Sequence, residues 1–135
     1  MKFISTNGKI YAMDIRPSRW PQRSYEDCKS EIQWCIGNLV KDVFPNEIIL
    51  EEFYLPYDRL YIDFFLPRAK LAVEVMGEQH YAFNSFFHGT MANFKKAQER
   101  DNRKSLWCTM NDIRLIKVRG GDEEEEIRNK LLSDN

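Results

Sequence analysis

This sequence has only three cysteines, a formal net charge close to zero and no long apolar run. Each of these features limits the kinds of protein that it can be. The three cysteines, Cys28, Cys35 and Cys108, are odd in number and lack Cys-x-x-Cys spacing, which predicts free cytosolic thiols and argues against a zinc site. The formal net charge of −1 provides no overall field that would attract nucleic acid, so such affinity would require a local patch. No apolar run approaches the roughly 18 residues of a membrane span, and the first residues lack the apolar segment of a signal peptide. We therefore expect a cytoplasmic protein with no membrane partner.

The composition is that of a globular protein with one hydrophobic core. Hydrophobic residues make up 43% of the chain and charged residues 30%. A length of 135 residues is enough to bury a core without disulfides or metals. We expect a single domain over residues 1–135: a β-hairpin and an arm in 1–23, the core in 24–118 and a C-terminal helix in 119–135.

Two short strands at the centre of the chain carry the most informative pattern. Runs of aromatic and branched residues predict strands over 60–66 and 70–76, with a turn at Pro67 and Arg68 between them. Because side chains alternate along a strand, two apolar triplets are each expected to share a face: Leu60, Ile62 and Phe64, and Leu71, Val73 and Val75.

Asp63 and Glu74 are then expected to emerge together on the side opposite these triplets. Two carboxylates held together repel each other, and a bound cation such as Mg²⁺, which prefers oxygen ligands, would relieve that repulsion. Gly77 ends the second strand, and His80 follows three residues later. The alternative interpretation is a solvated hairpin face with ordinary surface charges.

These residues resemble a family of nucleases. The run Asp63-Phe64-Phe65-Leu66-Pro67, followed by Val73-Glu74-Val75-Met76-Gly77-Glu78-Gln79-His80, is similar to the core hairpin of the PD-(D/E)XK nuclease superfamily. Within that superfamily it is similar to the branch related to very-short-patch repair endonucleases, which includes the EDxHD homing endonucleases and many small phage-encoded proteins. The resemblance covers roughly residues 30 to 118. Met76 stands where the superfamily has its lysine, which fits the histidine-using branch better. Ile62 stands where the superfamily has a proline.

The resemblance implies both a fold and an activity. The fold would be α/β with a restriction-endonuclease-like core, a mixed β-sheet of four or more strands flanked by α-helices. The activity would be that of an endonuclease dependent on Mg²⁺ or Mn²⁺ that hydrolyses phosphodiester bonds in DNA. Such an enzyme could be a phage-encoded nicking or homing-type nuclease that works in the host cytoplasm. The alternative is a module on the same fold that binds nucleic acid or a protein partner with weak or no catalysis, for which Met76 is the main support.

The resemblance also assigns roles to individual residues. Asp63 and Glu74 would bind the metal, with the Val75 carbonyl as a third ligand. His80 would act as general base or would protonate the leaving oxygen. Asp101 and one of two residues early in the first helix, Gln33 or Glu31, would orient His80 or the hydrated metal.

The remaining elements follow from periodicity and from capping and turn residues. The first helix is expected to start at a Ser24 cap and to bury Cys28, Ile32, Cys35, Ile36, Leu39 and Val43. In the second helix Asp101 falls within an apolar stripe of Phe94, Ala97 and Cys108, so we expect it to be at least half-buried. The other predicted elements are a hairpin over 2–15 with its turn at Asn7-Gly8, a strand over 47–54, the second helix itself over 91–110, a strand over 113–118, and a last helix docked by Ile127, Leu131 and Leu132.

Three segments are candidates for contact with nucleic acid. The outward side of the second helix is expected to carry Lys95, Lys96, Arg100, Arg103 and Lys104, which could bind phosphates. Lys104 or Arg100 could also stand in for the lysine that Met76 replaces. The segment 16–23, with Trp20, Arg19 and Arg23, is either a connecting loop or an arm that touches phosphates and stacks on a base. The phenylalanines of 81–90 either cap the core or wedge between bases.

Overall fold

A four-stranded mixed sheet forms the centre of the fold in the computed structural model, which describes residues 1–76 and 91–133. The sheet order is β3-β4-β5-β6, with β3–β4 and β4–β5 antiparallel and β5–β6 parallel. The strands are β3 (Leu50–Leu55), β4 (Leu60–Leu66), β5 (Leu71–Met76) and β6 (Arg114–Arg119). The helices in the described residues are α1 (Glu31–Val43), α2 (Met91–Met110) and α3 (Glu124–Leu132). The expected α/β class and the mixed sheet are therefore confirmed, and no helix in these residues is long and apolar enough to cross a membrane.

The central hairpin has the predicted pairing. Phe64 lies opposite Val73 and Leu66 opposite Leu71, so residues 67–70 form the turn. Lys70 adopts a left-handed φ of 50°, and β5 therefore begins one residue later than predicted. A second, smaller hairpin joins β1 (Lys2–Ile4) to β2 (Ile10–Ala12), as Asn7-Gly8 predicted.

Helix α1 begins later than predicted. Its N-cap is Ser30, whose hydroxyl accepts the Gln33 N–H at 3.1 Å, and not Ser24. The segment before it is held to the sheet instead, because the Arg23 N–H (2.7 Å) and the Cys28 Sγ (3.4 Å) bind the Glu51 carboxylate. The buried stripe of the helix is accordingly rotated from the predicted one to Gln33, Ile36, Gly37, Leu39 and Val40.

Two apolar clusters cover the sheet. The hairpin-side cluster joins β1 and β2 to α2 and includes Phe3, Phe53, Phe65, Trp107 and Cys108. The α1-side cluster joins α1 and α3 to the sheet and includes Ile36, Val40, Phe64, Ile127 and Leu131. Trp20 is buried against Phe53, with ring centroids 4.9 Å apart, which favours the connecting loop over an arm that stacks on a base. The prediction that Leu132 docks α3 is wrong, because this side chain is 63% exposed.

The alternation of side chains reverses in the middle of β4. Ile62 packs in the hairpin-side cluster, whereas Phe64 packs in the α1-side cluster, so the two do not share a face as predicted. The reversal falls at Asp63. On the neighbouring strand β3, Glu51 pairs with Phe64 and Phe53 pairs with Ile62. Glu52 lies between these two pairs, opposite Asp63. Glu52 has a φ of 51°, a conformation that non-glycine residues rarely adopt within a strand, and it turns the chain at this point.

Candidate functional site

Asp63 and Glu74 are buried and hydrogen-bonded to each other's strand. Asp63 is 5% exposed and Glu74 is 3% exposed, so the interpretation of these acids as solvated surface charges is wrong. The Asp63 N–H donates to Glu74 Oε2 at 2.7 Å, and the Val75 N–H donates to Asp63 Oδ2 at 2.8 Å. The two carboxylates thus take the place of main-chain acceptors between β4 and β5, just where the backbone pairing of residues 64–66 with 71–73 ends.

This arrangement also orients the Val75 carbonyl. In an extended strand the N–H and the C=O of one residue point to the same side. Because the Val75 N–H donates to Asp63, the Val75 C=O also faces the gap between β4 and β5 in which both carboxylates lie. The site therefore offers carboxylate and carbonyl oxygens, the ligands that Mg²⁺ and Mn²⁺ prefer.

Burial changes the proton affinity of Glu74. Burial first and the charge of Asp63 second raise the pKa of Glu74 to about 8, although Lys104 partly opposes them. The Lys104 Nζ lies 2.7 Å from Glu74 Oε1, and the Lys104 side chain is 17% exposed. Burial alone would lower the pKa of Lys104, but the charges of Glu74 and Asp63 raise it. The charges of Glu74 and Asp63 therefore favour the protonated ammonium form of Lys104.

Lys104 reaches this pair because it lies on the buried side of α2. Residues 94, 97, 101, 104 and 108 follow one another at three-to-four spacing and are half-buried or buried, whereas Arg100 is exposed. The prediction that Lys104 lies on the outward side is therefore wrong. Asp101 is half-buried, as predicted, and lines the same small recess as Glu74, Met76 and Lys104. Its charge contributes to the raised pKa of Lys104.

Glu52 is a third carboxylate at the site and was not predicted from the sequence. The Glu52 side chain is 11% exposed, its Oε2 is buried without a hydrogen-bond partner among the described residues, and its Oε1 lies 3.8 Å from Lys29 Nζ. Burial raises the pKa of Glu52; Lys29 opposes this effect and Asp63 adds to it. The signal in the sequence was weak, because two consecutive glutamates before Phe53 read as a solvated strand start. In the part of the chain that the structure describes, no group of three or more His, Cys, Asp or Glu side chains is arranged to hold a metal ion.

The structure separates Gln33 from Glu31, which were predicted as alternatives. Gln33 is 2% exposed, and its Nε2 donates to Glu51 Oε2 at 2.9 Å. Glu31 is exposed and lines a groove between α1 and α3. Glu31 is therefore not directed at the acidic pair, whereas Gln33 binds Glu51, the neighbour of Glu52 in β3.

The predicted phosphate-binding residues lie on two surfaces. Lys95, Lys96 and Arg100 are exposed on α2. Arg19 and Arg23 are exposed before α1; Arg19 lies over the Trp20 ring at 4.9 Å, and the charge of Arg23 acts on Glu52. His80 and the phenylalanines of 81–90 lie outside the described residues, so their roles stay predictions.

Part of the chain is similar to three viral proteins. It is 44% identical over 61 residues to Uncharacterized protein 033L of Invertebrate iridescent virus 3, a match that covers 45% of this chain and 31% of that protein. It is 42% identical over 59 residues to Uncharacterized protein 307L of Invertebrate iridescent virus 6, covering 44% and 30%. It is 38% identical over 60 residues to Uncharacterized protein 094L of Frog virus 3 (isolate Goorha), covering 44% and 39%. The match thus spans about a third of the length of these relatives. No protein-family model matches the chain, and no solved structure matches it significantly.

Proposed function

We propose that the protein is a metal-dependent endonuclease that hydrolyses phosphodiester bonds in DNA, with a restriction-endonuclease-like core. The observation that carries the proposal is the buried pair Asp63–Glu74 at the point where β4 and β5 separate. The order of the described elements supports it, because the three antiparallel strands β3, β4 and β5 follow helix α1, as the resemblance to that core implies.

The residues at the site fit a divalent cation. Two carboxylates held in a buried position repel each other, and the pKa of Glu74 is raised first by burial and second by this repulsion. Asp63, Glu74 and the Val75 carbonyl would hold the ion through oxygen atoms. When bound, Mg²⁺ would supply an activated water and stabilise negative charge on the phosphate.

The protein's own groups would do the remaining work. His80 is proposed to accept or return the proton, since its ordinary pKa of about 6.5 suits transfer near neutrality. Asp101 is proposed to orient the groups in the recess that it shares with Glu74 and Lys104. Lys95, Lys96, Arg100, Arg19 and Arg23 are proposed to bind DNA phosphates from the two exposed surfaces.

A binding module with little catalysis is the second candidate. Met76 favours it, because this side chain is 6% exposed and occupies the place where the resembling nucleases have a lysine. A thioether neither donates nor accepts a proton at neutral pH. In this case DNA would bind without being cut, in the presence or absence of metal.

Plasmid cleavage distinguishes the two candidates. Supercoiled plasmid is incubated with the protein and Mg²⁺ or Mn²⁺, and binding of each metal is measured by calorimetry. We expect cleavage that EDTA abolishes. Asp63→Asn should abolish it as well, because the variant loses a charged metal ligand. The asparagine keeps an oxygen that can accept the Val75 N–H, so the contact between the strands can be retained. His80→Ala should lower the rate by about 10²-fold, the typical value for general acid–base catalysis.

The matched control is Asp14→Asn, which removes an exposed carboxylate that pairs with Arg16. It should cleave at the rate of the unsubstituted protein. Equal cleavage by Asp63→Asn, or cleavage that persists in EDTA, would refute the nuclease proposal as stated. DNA binding without cleavage under all these conditions would favour the binding module.

A further inference from the structure

Met76 stands beside Glu74 where the resembling nucleases have a lysine, so strand β5 carries no positive charge at this point. Residues two apart on a strand share a face, so Met76 follows Glu74 on the side of the sheet that α2 covers. Met76 is apolar and 6% exposed, and it brings no positive charge to the acidic pair. Any cation supplied by the protein at this point must come from another element.

Helix α2 supplies that cation. The Lys104 Nζ lies 2.7 Å from Glu74 Oε1 in the recess that Met76 also lines. Glu74 Oε2 accepts the Asp63 N–H of strand β4 at 2.7 Å, while Glu74 Oε1 accepts a hydrogen bond from Lys104 of helix α2. This double contact fixes the plane of the Glu74 carboxylate.

We propose that Lys104 is a positioning residue of the active site, which holds Glu74 in place and provides from α2 the positive charge that Met76 does not provide from β5. This assignment rests on the proposed nuclease function. The alternative is an ion pair that serves the fold alone. Lysine is rarely buried, and an apolar residue at a buried helix position often stabilises a fold as well as an ion pair does. The fold by itself therefore does not require a charge at position 104.

Two variants of Lys104 separate these roles. Lys104→Met keeps the length of the side chain and removes its charge, while Lys104→Arg keeps the charge. Lys2→Met, which removes an exposed charge from β1, is the matched control. Each protein is assayed for plasmid cleavage with Mg²⁺, for Mn²⁺ binding by calorimetry, and for unfolding by urea.

We expect Lys104→Met to lower kcat by about 10²-fold or more, as loss of a preorganised charge at an active site typically does, with little change in KM for DNA. It should bind Mn²⁺ at least as tightly as the unsubstituted protein, since a cation next to a metal ligand weakens metal binding by repulsion. Lys104→Arg should recover at least about tenfold in kcat, and Lys2→Met should match the unsubstituted protein.

The outcomes that contradict the proposed function differ from those that contradict the role of Lys104. An unsubstituted protein that neither cleaves plasmid nor binds Mn²⁺ would overturn the proposed function and this assignment with it. Cleavage by the unsubstituted protein with unchanged kcat in Lys104→Met would overturn the role of Lys104 alone. So would a loss of activity in Lys104→Met that tracks a loss of folded protein and that Lys104→Arg does not rescue.

Discussion

Glu74 should make the stability of the metal-free protein fall as the pH rises. Its pKa is raised from 4.5 to about 8, first by burial and next by the charge of Asp63. Because the pKa in the folded state is above that in the unfolded state, the stabilisation is complete below about pH 4.5 and is lost as the pH rises through about 8. At about 1.4 kcal/mol for each pH unit, the difference amounts to at most about 5 kcal/mol over this range.

The substitution Glu74→Gln tests this reasoning. The glutamine keeps an oxygen that can accept the Asp63 N–H but cannot ionise. Urea unfolding in EDTA is measured between about pH 5 and pH 8. The free energy of unfolding of the unsubstituted protein should fall with pH more steeply than that of the variant, by up to about 1.4 kcal/mol for each unit.

Glu31→Gln is the control, since it removes an exposed carboxylate at the start of α1 and should leave the slope unchanged. If the free energies of unfolding of Glu74→Gln and the unsubstituted protein change with pH in parallel, the conclusion that burial raises the pKa of Glu74 is refuted. Added Mg²⁺ should stabilise the unsubstituted protein near pH 8 and should not stabilise Glu74→Gln to the same extent, because ligand binding to the folded state raises its stability.

Three further predictions concern the fold. Ser30→Ala should lower the free energy of unfolding by about 1 kcal/mol and Ser24→Ala by much less, because Ser30 is the cap of α1; equal effects in urea unfolding would contradict this. Gly37→Ala should destabilise by about 1–3 kcal/mol in the same measurement, because a Cβ there would lie 2.9 Å from Cζ of the buried Phe64; a more stable variant would show that the ring can move. Trp107→Ala should cost about 3–5 kcal/mol and lower the melting temperature, since this fully buried ring lies at the centre of the hairpin-side cluster; a change below about 1 kcal/mol would refute its place there.

Local patterns in the sequence were enough to predict the sheet and its hairpin. The strands over 60–66 and 70–76, helix α2 and the hairpin at Asn7-Gly8 follow from side-chain periodicity and turn residues, which act over a few neighbouring positions. The closeness of Asp63 and Glu74 was also predicted, from the faces that side chains share along the two strands, although the alternation in β4 reverses at Asp63.

Contacts between distant segments decided what the sequence left open. Helix α1 begins after Ser30 and not after Ser24 as predicted, because Glu51 of β3 holds the preceding segment to the sheet. The inward direction of Lys104 depends on the carboxylate of Glu74, thirty positions earlier in the chain. Glu52 enters the site because its left-handed backbone conformation turns it there, and tertiary packing, which no local propensity encodes, must hold a non-glycine residue in that conformation. Hydrophobic pattern and turn chemistry therefore determined the elements, whereas the buried charges of the site were arranged by the tertiary structure, because each charge is stable only beside partners from other elements.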